Sequence, residues 1–259
     1  MNLLQALILG IIQGLTEFLP ISSSGHLEIG HALLGIANEN NLLFVLNVHV
    51  ATVLSTIVVF RKDIGTLLKD VFQFKWNEST KYVSMLLVSS IPIVIIGLLF
   101  KAEIESLFTG NLFFVGCMLL VTACLLTLTI YVKKSDQKLT FGKSFIIGIA
   151  QMFAVLPGIS RSGATIATGL LLKLKKEDVA RFSFLMVLLP IVGAALLDIL
   201  SGEVTTQNIS PLNLLAGFTG AFVTGLLACS WMIKIVKKGK LIYFAIYCAL
   251  IGLIAIFAA

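Results

Sequence analysis

Gln13-Gly14-Leu15-Thr16-Glu17-Phe18-Leu19-Pro20-Ile21-Ser22-Ser23-Ser24-Gly25-His26 is a polar island between two apolar runs, and its reading decides the fold. It gathers an amide, a carboxylate, hydroxyls and an imidazole around a proline and a glycine, both helix breakers. An echo follows: Gly148-Ile149-Ala150-Gln151, then Leu156-Pro157-Gly158-Ile159-Ser160-Arg161-Ser162-Gly163. A shift of 138 positions lays Gly10 on Gly148, Gln13 on Gln151, Ser22 on Ser160, Ser24 on Ser162 and Gly25 on Gly163, while the proline slips by one. The first stretch therefore reads as one half of a site completed 138 residues later.

The solvent for this site is lipid. Of 259 residues, 58% are hydrophobic and 12% charged, against about 45–50% and about 25% in soluble domains. Six runs approach the roughly 20 apolar residues a span needs: 42–60, 82–100, 111–132, 182–200, 212–233 and 241–259. Three pieces are too short (26–36, 144–156, 164–174), and 3–19 carries Gln5, Gln13 and Glu17. Each of the two pairs of such pieces is hinged at a Pro/Ser/Gly stretch, so each reads as a re-entrant helical hairpin. Irregular backbone survives at membrane depth only inside protein or beside a wet cavity.

The expected fold is all-α and polytopic: a single transmembrane domain over 1–259 with an internal inverted-topology repeat, 1–135 and 139–259. Each half holds one re-entrant hairpin and three transmembrane helices, and the odd number of crossings inverts the second half. Phe44 and Phe182 open the first span of each half, again 138 apart. Cation placement agrees. Loops 61–81, 133–143, 173–181 and 234–240 hold seventeen of the nineteen Lys/Arg, all on one side of this topology. With that side cytoplasmic, both termini face outside. The net charge of +6 then reflects topology, and no nucleic acid is implied. Residues 61–81, with Phe72, Phe74 and Trp76 among the cations, read as an interfacial amphipathic helix. The four cysteines lie in apolar runs without metal-type pairing and read as packing residues. No basic residue precedes Arg61, so the first apolar run is expected to belong to the mature protein rather than a signal peptide.

Arg161 stands apart from the surface cations, at the start of a short helix. A helix N-terminus there suits an anion, and the guanidinium fork matches phosphate oxygens. Glu17 is the opposite charge; the alternative is an ion pair that only ties the hairpins together. Gln13, four residues earlier, shares its helical face; the two offer oxygens to a divalent cation, or Gln13 is a core glutamine. Ser22, Ser23 and Ser24 place hydroxyls three to four residues or fewer from His26, a base that a serine nucleophile needs. The second hinge is not a hydrolase elbow, since G-x-S-x-G fails around Ser162. Asn47 and His49 read as hydrogen-bonded core residues, one of them able to face a cavity. Glu28 and His31 are expected at the membrane surface, Asp198 and Glu203 in solvent.

Gln13-x-x-x-Glu17 with Pro20-Ile21-Ser22-Ser23-Ser24-Gly25-His26, followed by Pro157-Gly158-Ile159-Ser160-Arg161-Ser162-Gly163-Ala164-Thr165, resembles the two motifs of the undecaprenyl-pyrophosphate phosphatases, the bacitracin-resistance membrane enzymes. The resemblance runs over essentially the whole chain. It implies hydrolysis of undecaprenyl diphosphate to undecaprenyl phosphate and phosphate, recycling the carrier lipid of cell-wall synthesis. It also implies a divalent cation (Mg2+ or Ca2+), a site in the bacterial cytoplasmic membrane opening outward, and a lipid substrate in a protein that could pair as a homodimer. Carried over by position, Glu17 and Gln13 belong to the metal or diphosphate site, Ser23 is the nucleophile, His26 the acid/base and Arg161 the phosphate clamp, supported by Ser160, Ser162, Gly163 and Thr165 beside Ser22 and Ser24. A variant makes His26 the nucleophile. Gln13 stands where the family often has Glu, which removes one charge. Inverted repeats with broken helices also serve transporters, so a carrier or lipid flippase is the rival reading, and a structural subunit a third.

Overall fold

The computed structural model describes residues 1–36, 42–108, 110–132, 136–200 and 209–259, without the side chains of 42, 105 and 195–200. Among them the chain is helical: α1 (Leu3–Phe18), α2 (Ser23–Leu33), α3 (Leu42–Val59), α4 (Arg61–Val71), α5 (Glu78–Leu99), α6 (Lys101–Glu105), α7 (Leu112–Leu128, continued by a 3-10 turn, Thr129–Tyr131), α8 (Phe141–Phe153), α9 (Arg161–Leu171), α10 (Lys176–Met186), α11 (Leu188–Leu200), α12 (Pro211–Lys238) and α13 (Ile242–Phe257). Three helices, α5, α7 (with its 3-10 turn) and α12, are long and apolar enough to cross a membrane, or four if the bent α3–α4 pair counts as one span. The chain is a multi-pass membrane protein. On α5, Leu87, Ile91, Ile95 and Leu98 lie exposed in one helical stripe. Such a face is stable against lipid and not against water.

Sequence-read boundaries shift where polar caps act. Helices α2, α8 and α9 each begin three residues before the apolar runs that signal them. Ser22, Thr140 and Ser160 accept the backbone N–H three residues on, at 3.2, 3.4 and 3.0 Å. That capping bond draws the polar residues of each hinge into the first turn. Ser23 and Arg161 thus become the first residues of α2 and α9.

The run 182–200 is not one helix. It breaks at Val187 between α10 and α11, three residues before Pro190, whose ring clashes with the carbonyl four positions back and which lacks the N–H for that bond. By contrast α5 accommodates Pro92 within its length. Helix α4 leaves α3 at 78°, and beyond it Phe72, Phe74 and Trp76 are exposed, the arrangement of an interfacial helix.

Packing crosses between the two halves. Helix α1 lies against α12, α8 against α5, and α7 against α13. Gly10 and Gly148 make the first two approaches possible. A Cβ on Gly10 would stand 2.2 Å from the Gly217 carbonyl oxygen, and one on Gly148 2.3 Å from that of Ser89. The two hinges meet back to back beneath: Gly25 abuts Gly158, whose φ of 100° only glycine adopts freely. Glu203 and the 37–41 loop lie outside the described residues, as does the side chain of Asp198.

Candidate active site

Glu17 and Arg161 come together from the two hairpins. Arg161 Nη2 donates to Glu17 Oε1, with the carboxylate side chain 4% exposed and the guanidinium 21%. The other carboxylate oxygen, Oε2, accepts from Gln13 Nε2 at 2.9 Å and from Ser23 Oγ at 2.6 Å. Three residues, two from the first hairpin and one from the second, thus share one carboxylate. Ser23 and Arg161 also occupy equivalent positions, 138 apart, so one helix start presents a hydroxyl and its counterpart a cation.

The remaining hydroxyls of the second hinge are engaged within the protein. Ser160 Oγ caps α9, and Ser162 Oγ donates to the Leu19 carbonyl at 3.0 Å, joining hinge to hinge. Thr165 Oγ1 donates to the Arg161 carbonyl at 2.8 Å and stands 2.6 Å from Ser183 Oγ. Gly163 lets α9 start close to Pro20. From α7, Thr122 Oγ1 donates to the Gly158 carbonyl and accepts from Ser160 N–H, at 3.1 and 3.0 Å. These residues hold Arg161 in place and leave the guanidinium as the part that faces outward from the hinge. In the first hinge, Ser22 sits at φ 71° and its hydroxyl is 3.3 Å from that of Ser24.

Helix α2 is two-faced. Ser24, Leu27, Glu28 and His31, spaced i, i+3, i+4 and i+7, line a cavity of about 300 Å³ with Ser23, Glu17 and Arg161. His26, Ile29, Gly30 and Leu33 have the same spacing on the other side and line a separate apolar groove of about 620 Å³ with Trp231, Tyr243 and Tyr247. His26 is therefore not brought to the carboxylate. Its Nδ1 donates to the Ser22 carbonyl at 2.8 Å, which leaves Nε2 to accept from the Tyr247 hydroxyl at 2.9 Å.

Glu28 and His31, expected at the membrane surface, are buried and line the cavity instead. Their signal was the spacing itself, since both continue the face that begins at Ser24. His49 faces the same cavity while its Nδ1 donates to the Val45 carbonyl at 2.8 Å. Asn47 is the core residue of the pair, bonded to the Leu214 carbonyl at 2.9 Å. Gln151, the counterpart of Gln13, also lines the cavity.

Comparison with known proteins follows the same residues. The family described as "Bacitracin resistance protein BacA" matches residues 6–254. A Bacteroides fragilis protein named undecaprenyl-diphosphatase is 55% identical over 99% of this chain and 98% of its own. One from Bacteroides thetaiotaomicron is 56% identical over the same shares, and one of that name from Methanobrevibacter smithii is 35% identical over 98% of this chain and 96% of its own. With both motifs of the hinges in register and the match spanning nearly every helix, the chain belongs to the BacA bacitracin-resistance family.

Proposed function

We infer that this chain is an integral membrane phosphatase that hydrolyses undecaprenyl diphosphate to undecaprenyl phosphate and phosphate, returning the carrier lipid to cell-wall synthesis. The observation that carries the reading is full-length identity of 55–56% to proteins named undecaprenyl-diphosphatase, with an acid, a cation and a hydroxyl converging in a cavity between the hinges.

Phosphoryl transfer is governed by positioning and charge stabilisation, and the constellation supports both. Arg161 holds the terminal phosphate through its fork of donors. Ser23 Oγ attacks the terminal phosphorus as its proton passes to Glu17 Oε2, already its hydrogen-bond partner at 2.6 Å. The bond from phosphorus to the bridging oxygen breaks and undecaprenyl phosphate leaves; water then hydrolyses the phosphoserine. Glu17, rather than His26, is the base within reach of Ser23. His26 braces the turn that carries Ser23 by bonding the Ser22 carbonyl. The other hinge groups, Ser22, Ser24, Ser160, Ser162, Gly163 and Thr165, shape the phosphate site.

A divalent cation fits beside Glu17. Gln13 Oε1 is a buried oxygen without a hydrogen-bond partner, and carboxylate and amide oxygens are the donors that Mg2+ and Ca2+ prefer. Glu17 and Gln13 would hold it, and it would neutralise charge on the diphosphate. No group of three or more His, Cys, Asp or Glu suited to a metal exists among the described residues, so the protein alone offers a partial set.

The topology we propose has six spans and two re-entrant hairpins in an inverted repeat, 1–135 and 139–259, within one domain of the bacterial cytoplasmic membrane. Reciprocal packing of α1 on α12 and α8 on α5 supports it, as do the twin serine caps. The basic loops face the cytoplasm, the termini and the cavity mouth face outside, and lipid surrounds a monomer or homodimer. Phosphate release from undecaprenyl diphosphate by the purified protein in detergent tests the activity. A transporter would release none, because detergent abolishes transport and leaves hydrolysis intact. Mapping a trapped phosphoryl group to Ser23 supports the nucleophile; a phosphohistidine at His26 or no covalent intermediate refutes it.

A further inference from the structure

Gln151 is fully buried, and neither atom of its side-chain amide has a hydrogen-bond partner. It lines the cavity that holds Glu17, Ser23 and Arg161. Buried amides are almost always bonded, and one left without partners is destabilising relative to an apolar residue of the same shape. The repeat explains how this came about. Gln13 gives its Nε2 to Glu17, four residues on in the same helix. Gln151 occupies the equivalent place in α8, yet the residue four positions on is Val155, which also lines the cavity. The second hairpin thus kept the amide without the carboxylate that engages its counterpart.

We propose that Gln151 is a substrate-binding residue whose Nε2 donates to a phosphate oxygen of the diphosphate. The chemistry fits the ligand. A neutral donor adds a hydrogen bond to an anion without bringing a further carboxylate into a cavity that Glu17 and Glu28 already line, and Val155, four residues on, brings none either. Glu17 and Arg161 engage each other across the two hairpins; Gln151 supplies a further donor from α8, the first helix of the hairpin that carries Arg161. The assignment rests on the phosphatase reading above, and it gives α8 a part in binding that Arg161 and its neighbours in α9 do not cover.

The test measures binding of a non-hydrolysable prenyl methylenebisphosphonate to the purified full-length protein, beside turnover of the prenyl diphosphate. Gln151→Met preserves length and removes the donor. Its Kd for the probe is expected to rise about ten- to a hundredfold, the loss of one hydrogen bond to a charged group, with kcat/KM falling in parallel. Its Tm is expected to equal or exceed that of the wild type, because an unbonded amide has gone. Gln151→Glu keeps the shape and replaces the donor with an anion, so its Kd rises further still. A Kd within twofold of wild type in a folded variant overturns the assignment and makes Gln151 a core residue; if Gln151→Met does not fold, Gln151→Glu decides by the same criterion. Failure of the wild type itself to bind the probe or release phosphate would refute the phosphatase reading instead, which keeps the two outcomes apart.

Discussion

Replacing Arg161 with methionine strips the Glu17 carboxylate of its cation at a site where that side chain is 4% exposed. In its place Gln13 and Ser23 supply only neutral hydrogen bonds. Breaking a buried pair from one side costs about 3–5 kcal/mol, because the remaining charge has no partner. At about 2–4 °C per kcal/mol for a chain of this size, the fall in Tm is roughly 6–20 °C. Removing both charges tells a different story. In Glu17→Gln/Arg161→Met no buried charge remains, and replacing a whole pair is often neutral, so the double variant should melt near the wild type. Both variants should be catalytically dead, since the single lacks the clamp and the double lacks clamp and base. Thermal unfolding of the three purified proteins in one detergent, followed by far-UV circular dichroism or an intrinsic-fluorescence scan, reads the cycle. A single variant within 2 °C of the wild type (about the effect of 1 kcal/mol), or a double variant no more stable than the single, would refute a buried ion pair between the hairpins.

The glycine seams make a second prediction. Gly10→Ala and Gly148→Ala drive a methyl into a backbone carbonyl and should each cost about 1–3 kcal/mol, whereas Gly65→Ala, with nothing within 4 Å, should gain about 0.5–1 kcal/mol from helix entropy; equal effects at all three would contradict the packing. Chelation with EDTA should abolish phosphate release and Mg2+ or Ca2+ restore it, and Gln13→Glu, which adds ligand charge, should lower the metal concentration for half-activity by about tenfold; unchanged turnover in EDTA would remove the cation from the site. His26→Ala should reduce kcat while leaving the shape of the pH–rate profile intact, because the ring bonds the Ser22 carbonyl and Tyr247 and not Ser23. Loss of one limb of that profile would restore His26 as the general base.

Most helices were legible because lipid-facing length and polar hinges are both written in composition. The 138-residue echo alone pairs the hinge residues. The starts of α2, α8 and α9 lie three residues ahead of their apolar runs because the capping Ser22, Thr140 and Ser160 carry no hydropathy signal. The break at Val187 was missed although Pro190 signals it, because hydropathy is blind to backbone geometry. Within the site, Glu17 and Arg161 were legible as unlike charges in an apolar setting. Glu28 and His31 were not, since a charged residue near a span end looks solvated until the turn that buries it is known. The pairing of His26 with Ser23 rests on the family resemblance and on a three-residue spacing, neither of which says where the ring finds its hydrogen bonds. Rotation by 100° per residue sets His26 about 200° from Ser24 and Glu28 but only about 60° from Ser23, so what parts the ring from Ser23 is its bonding to the Ser22 carbonyl and Tyr247.

The seams at Gly10 and Gly148 have a meaning for how the protein works over time. Each brings main chain against main chain at the point of contact between a helix of one half and a helix of the other. Here a shift of even part of a helical turn would force one backbone into another. Sliding α1 along α12, or α8 along α5, is therefore opposed at these two points, which hold the hinge-bearing helices in register against the other half.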